Sequence, residues 1–155
     1  MIKKYIYISI FTFILSGCGF TPLYLENKDL NFSLTIVNTT GDRRVNEAVK
    51  SNLQRYSQIS ENKKNYNVNV RSQVIEKIVS KNKTGVISQI KLIIKVNFIL
   101  INKDENIEFE YSEELNVKKT NNIIDDNFYE NQVKENMGTS ISEKLIFEIS
   151  KLEWF

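Results

Sequence analysis

The chain carries one thiol, and its setting decides what chemistry that thiol can do. Cys18 closes the stretch Leu15-Ser16-Gly17-Cys18 and opens Gly19-Phe20-Thr21-Pro22-Leu23-Tyr24, which holds the only proline. A lone cysteine can be a small buried apolar residue, a nucleophile, a leftover disulfide partner or an attachment point. Activation by histidine is excluded, because the chain has no histidine. The same lack removes Ser-His-Asp triads and His-based metal sites. Paired carboxylates remain for acid–base work. Their densest run is Glu105, Glu108, Glu110, Glu113 and Glu114. It falls on an alternating strand pattern, where a row of charges reads as a solvated face rather than as two carboxyls flanking a bond. Five glycines are scattered along the whole chain, so no phosphate loop is present. The expectation is a protein that is not an enzyme and takes no cofactor or metal.

What precedes Cys18 explains it. The segment MIKKYIYISIFTFILSG begins with Lys3 and Lys4, continues with an apolar run from Tyr5 to Leu15, and ends in small residues. That is the layout of a secretory signal. A bilayer span takes about 20 apolar residues, and this run is roughly half of that. A buried N-terminal helix is the plainer alternative. Leu15-Ser16-Gly17-Cys18 resembles a bacterial lipobox at all four positions. In a lipobox the thiol takes a diacylglyceryl group, the chain is cut between Gly17 and Cys18, and the cysteine becomes the first residue. Each buried CH₂ contributes about 0.8 kcal/mol, so the two or three acyl chains of a lipoprotein hold firmly where one would not. Residue 19 is glycine, not the aspartate that retains many lipoproteins at the inner membrane. By that sorting resemblance the destination is the outer membrane, facing the periplasm.

Composition then bounds the remainder. Of 21 basic side chains, Lys3 and Lys4 leave with the signal, so 19 basic face 19 acidic ones and the +2 balance disappears. No nucleic-acid partner is indicated. Residues 18–30 read as a lipidated connector and residues 31–155 as one domain, long enough for a core of its own.

The elements that would position any site follow from periodicity. Phe32, Leu34 and Ile36 alternate with Ser33 and Thr35 as in a strand. From Asp42, a plausible N-cap, Val45, Ala48, Val49, Leu53 and Tyr56 recur at helical spacing, with Arg44, Glu47, Lys50 and Asn52 opposite. Tyr66, Val68 and Val70 start a second strand. Residues 86–101 form a third, with Ile90, Leu92, Ile94, Val96, Phe98 and Leu100 on one face and Lys91, Ile93, Lys95, Asn97 and Ile99 on the other. At about 3.3 Å per residue it is long, so a bend, bulge or frayed end is expected. Ile107, Phe109, Tyr111, Leu115 and Val117 alternate in a fourth. From Ile124 to Leu152 one long helix is expected, with a row of Ile124, Phe128, Met137, Ile141, Leu145, Ile149 and Leu152, widened by Tyr129 and Val133 and kinked near Gly138. The order β-α-β-β-β-α predicts an α+β two-layer sandwich, a four-stranded and largely antiparallel sheet with two amphipathic helices on one face.

A lipoprotein beginning Cys18-Gly19-Phe20, with Pro22-Leu23-Tyr24 soon after, resembles the LPS-assembly lipoprotein LptE family. The passage from Val37 to Tyr56 also resembles that family's first strand-to-helix segment, with an Arg-containing turn and Leu53 mid-helix. The resemblance implies a plug and assembly factor for an LptD-type outer-membrane β-barrel, anchored on the periplasmic side or seated in the barrel lumen. It implies lipopolysaccharide as the cargo. Lipid A phosphates need cations, which makes Lys91 and Lys95 the candidate lipopolysaccharide contacts, against the plain reading of solvated charges on a sticky strand. Arg43 and Arg44 are candidate partner contacts, because the helix dipole does not favour cations there. The alternatives are a pilotin or accessory lipoprotein of another outer-membrane complex, an envelope hydrolase, and a periplasm-facing carrier of hydrophobic ligands.

Overall fold

The computed structural model describes residues 31–57, 63–103, 105–120 and 122–152. The signal segment, Gly17, Cys18 and the connector 18–30 lie outside the described residues. The elements are β1 (Phe32–Thr40), α1 (Arg43–Leu53, continued by a 3₁₀ turn to Tyr56), β2 (Lys64–Lys81), β3 (Ile87–Ile101), β4 (Asn106–Lys118) and α2 (Ile123–Leu152). The expected order holds, and the four strands lie in the sheet as β1-β2-β3-β4. β2, β3 and β4 form an antiparallel meander. β1 pairs with β2 in parallel, which a crossover through α1 requires.

One face of the sheet builds the core. Leu92, Ile94, Val96, Phe98 and Leu100 of β3 are fully buried, with Tyr66, Val68 and Val70 of β2 beside them. Val45, Val49 and Leu53 of α1 and Ile141, Leu145 and Ile149 of α2 cover them. β3 was expected to carry a bend, bulge or frayed end; it pairs without a register shift against β4, but against β2 its first residues are irregular, Val79 of β2 and then Ser88 of β3 being passed over between Ile78 and Lys81. A further irregularity lies in β1 between Ile36 and Asn38. Twist accumulated along a long hairpin is absorbed where β2 loses its helix cover.

Three details of the helices differ from the periodicity. Asp42 caps α1 as expected, accepting a hydrogen bond from the Val45 amide at 3.1 Å. Asn52, assigned to the polar side, is buried and donates to Ser142 Oγ at 2.7 Å. It faces α2, not water. In α2 the expected apolar row begins too early. Ile124 and Phe128 are exposed, as are Tyr129 and Leu152. The first turns bury Asp126 and Glu130 instead. Asp126 accepts from the amide and hydroxyl of Thr120, and Glu130 pairs with Lys119. The loop from β4 thus sets the rotation of the helix start, and hydropathy does not.

Gly138 interrupts nothing, because α2 is continuous through it. It is buried where α1 crosses. A Cβ there would come within 3.0 Å of the Val45 carbonyl oxygen and 3.2 Å of Ala48 Cβ. The glycine allows close helix approach. Gly138→Leu is therefore expected to destabilise the domain by about 1–3 kcal/mol, as overpacking does, while leaving helix content unchanged. A urea midpoint that does not move would contradict this close contact.

Candidate functional site

Among the described residues no helix covers the sheet's second face, and the rows across it follow from the register. Arg71 lies opposite Asn97, which lies opposite Glu110. Next come Gln73, Lys95 and Ser112, then Ile75, Ile93 and Glu114, then Lys77, Lys91 and Asn116. β2 and β3 contribute the cations and β4 the carboxylates. Toward β1 the face is neutral, with Ser33 donating to Asn65 at 2.5 Å and Thr35 opposite Asn67. The two-residue period leaves every second residue of four strands on the side away from the core, and there charged and amide side chains alternate with the isoleucines Ile75, Ile93 and Ile99.

Lys91 and Lys95 share this face, as their spacing requires. They differ in setting. Lys91 Nζ is 2.8 Å from Glu114 Oε1. Lys95 has no ion pair among the described residues, and it lines a shallow groove of about 260 Å³ with Arg71, Gln73, Asn97, Glu108 and Glu110. Two cations thus converge in the groove, but they are Arg71 and Lys95, not Lys91 and Lys95. Strand parity was enough to put Arg71 on this face, one residue after buried Val70. Its neighbour across the sheet required the register, which one sequence does not carry.

Arg43 and Arg44 also separate. Arg44 reaches across to α2, 3.3 Å from Glu135 Oε1. Arg43 pairs with Glu47 one turn on, with its side chain 78% exposed. Exposed pairs of that kind contribute about 0–1 kcal/mol. Arg44 is a helix–helix contact, and Arg43 is the more available of the two.

The five carboxylates disperse. Glu105 pairs with Lys64, Glu108 accepts from Asn97, and Glu114 pairs with Lys91. Glu113 was grouped with the solvated row, but it sits on the helix side. There it accepts from Ser140 at 2.7 Å and Lys144 at 2.6 Å. Parity alone places it there, since it shares the face of Phe109 and Tyr111. Two nearby groups have perturbed protonation. The amide of Thr120, then its hydroxyl and the Lys119 charge, hold the Asp126 carboxyl below its ordinary range despite partial burial. Burial pushes the Tyr111 hydroxyl up, with the Glu148 charge adding to it, and among the described residues that hydroxyl has no hydrogen-bond partner. Among the described residues no group of three or more metal-ligating side chains converges, and no helix is long and apolar enough to cross a membrane.

Neither a protein-family model nor a curated protein sequence matches this chain. Solved structures do. Rare lipoprotein B from Shewanella oneidensis aligns with a TM-score of 0.57 at 10% identity, covering 77% of this chain and 96% of that one. An uncharacterized lipoprotein B from Nitrosomonas europaea aligns at 0.53 and 12% identity, covering 80% and 86%. A minor lipoprotein from Acinetobacter baumannii aligns at 0.52 and 11%, covering 76% and 94%. The fold of this chain is that of these lipoproteins.

Proposed function

We propose that this chain is an outer-membrane lipoprotein, anchored through Cys18, that plugs an LptD-type β-barrel, assists its assembly, and so takes part in placing lipopolysaccharide in the outer leaflet. The observation that carries this reading is the shared fold. It extends over nearly the whole of several bacterial lipoproteins, and a lipobox-like stretch precedes it in this sequence. Two further features support it. The sheet face that no described helix covers is largely polar and mixed in charge, which suits the water-filled interior of a barrel. The 18 residues of β2 span roughly 59 Å at about 3.3 Å each, long enough to run through a bilayer of about 40–45 Å with its headgroups. In this reading Lys95 with Arg71, more than Lys91, would meet lipid A phosphates, and Arg43 would meet the barrel.

The test is depletion with two readouts. Loss of the protein is expected to leave the lipopolysaccharide-transport barrel misassembled or reduced, with lipopolysaccharide retained inside. The barrel is also expected to co-purify with the protein. Unchanged barrel and unchanged surface lipopolysaccharide would refute the reading. A pilotin-type role would show itself by a secretin in the pull-down instead. The hydrophobic-ligand carrier is less well supported, because the space between sheet and helices is occupied by packed side chains such as Phe98, Leu92 and Ile141.

A further inference from the structure

Among the described residues β4 is an edge strand with one neighbour, β3. Its 13 residues pair with β3 in unbroken register from Asn106 to Lys118. The sequence of β4 contains no proline. Natural edges are usually shortened, bulged or covered, because a long regular edge presents a row of unpaired N–H and C=O groups. This one is long and regular, and it does not end the core cleanly. The helix-facing row of β3 is buried throughout, whereas in β4 only Val117 is; Ile107, Phe109 and Tyr111 are half-buried, and Leu115 is 44% exposed. Glu113 interrupts that row but is already held by Lys144 and Ser140. The apolar layer therefore stops partway, at the level where another strand would complete it.

The opposite row of β4 says what that strand would carry. Glu108, Glu110 and Glu114 face the side that no described helix covers, with one cation, Lys118, at the end of the row. On the β3 flank they meet an amide and a cation, Asn97 at 2.5 Å and Lys91 at 2.8 Å. Glu110 has no ion pair among the described residues. The free flank offers the same acidic row, and opposite charges in facing cross-strand positions stabilise while like charges oppose. A second copy's β4 would bring glutamates against glutamates. A second copy's β1 would bring Ser33, Thr35, Asn38 and Thr40, which are neutral. Neither complements the row.

We propose that β4 accepts an added strand from a different protein, one whose residues alternate between lysine or arginine on the bare side and aliphatic or aromatic side chains under α2. Backbone bonds would supply affinity and the alternate side chains specificity, as in other strand-addition complexes. The inference does not depend on the barrel reading, since the recognition chemistry is that of the edge itself.

The test uses the full-length protein in detergent and two end-blocked peptides of roughly ten residues, a common strand length. One alternates lysine with valine; its twin has glutamate in place of lysine. The lysine peptide is expected to bind and to slow hydrogen exchange at amides between Asn106 and Lys118, while the twin does not bind. A Glu108→Gln, Glu110→Gln, Glu114→Gln variant is expected to bind the lysine peptide at least about tenfold more weakly, a change of about 1.4 kcal/mol. Glutamine keeps the size and hydrogen bonding of the row, and an unchanged exchange pattern in β3 shows that the variant has folded. Three results would overturn the proposal: equal binding of both peptides, binding without protection of β4, or no binding. Protection of β4 in the protein alone, rising with its concentration, would replace the foreign strand with a second copy.

Discussion

Replacing Gly41 by alanine is expected to remove much of the domain's stability. Gly41 has φ +104°, and a Cβ there would stand 1.8 Å from the Ser72 carbonyl oxygen, 2.7 Å from its carbon and 2.8 Å from its hydroxyl. Two of these are backbone atoms of β2, so neither can swing aside. The residue joins β1 to the Asp42 cap, and Ser72 Oγ donates to the Asp42 carbonyl at 3.3 Å. A methyl group must therefore push the start of α1 off the sheet. Strain at positive φ costs about 1–2 kcal/mol, and forced repacking adds about 1–3 kcal/mol, so a loss of about 2–5 kcal/mol is expected. Domains of this size hold only about 5–15 kcal/mol. Gly85 is the matched control. Its φ is +83°, and a Cβ there meets nothing within 4 Å, so Gly85→Ala should show the strain alone. Urea midpoints of the two variants measure the difference. If Gly41→Ala costs no more than Gly85→Ala, the contact with Ser72 is not what holds this corner.

The second large effect lies at the other end of the argument. Cys18→Ala is expected to abolish membrane attachment in the mature form, because the thioether has no other place to form. One acyl chain gives marginal, reversible binding, and two or three make it effectively permanent. The variant should accumulate as a longer precursor with Met1–Gly17 still attached, and labelled fatty acid should no longer enter it. Outer-membrane fractions and gel mobility measure this. An unchanged mobility with full fatty-acid labelling would show that Cys18 is not the attachment site.

Much of the fold was legible because periods of two and of three to four residues are properties of the backbone. The strand faces of β3 were read residue by residue, since Leu92 through Leu100 alternate without a break and all are buried on one side. Asp42 was legible as a cap because its side chain bonds locally. What was not legible depended on contacts distant in the chain. The parallel pairing of β1 with β2 follows from the path through α1, and no residue type marks it. The rotation of the first turns of α2 is fixed by Thr120 and Lys119 holding Asp126 and Glu130, so a row read from Ile124 and Phe128 pointed the wrong way. Gly138 was read as the place of a kink, and its close contact with Val45 and Ala48 of α1 could not be read from one helix alone. The groove pairing Arg71 with Lys95 needed a register between strands 24 residues apart along the chain. Glu113 is the exception, because its parity with Phe109 already put it inside.

The chain ahead of Phe32 enters the fold through β1, and β1 is tied to the sheet on one side only. Tension arriving from that direction, resisted at the far end of the domain, acts along the strand and not across it. The eight paired positions from Phe32 to Thr40 would then be loaded together, in shear, instead of opening one after another like a zip. Forced unfolding depends on the barrier to unfolding and not on equilibrium stability. A strand loaded in this way must give up many hydrogen bonds in one event. Were the chain anchored through Cys18 as proposed, the element beside that anchor would be loaded in shear under a sustained pull.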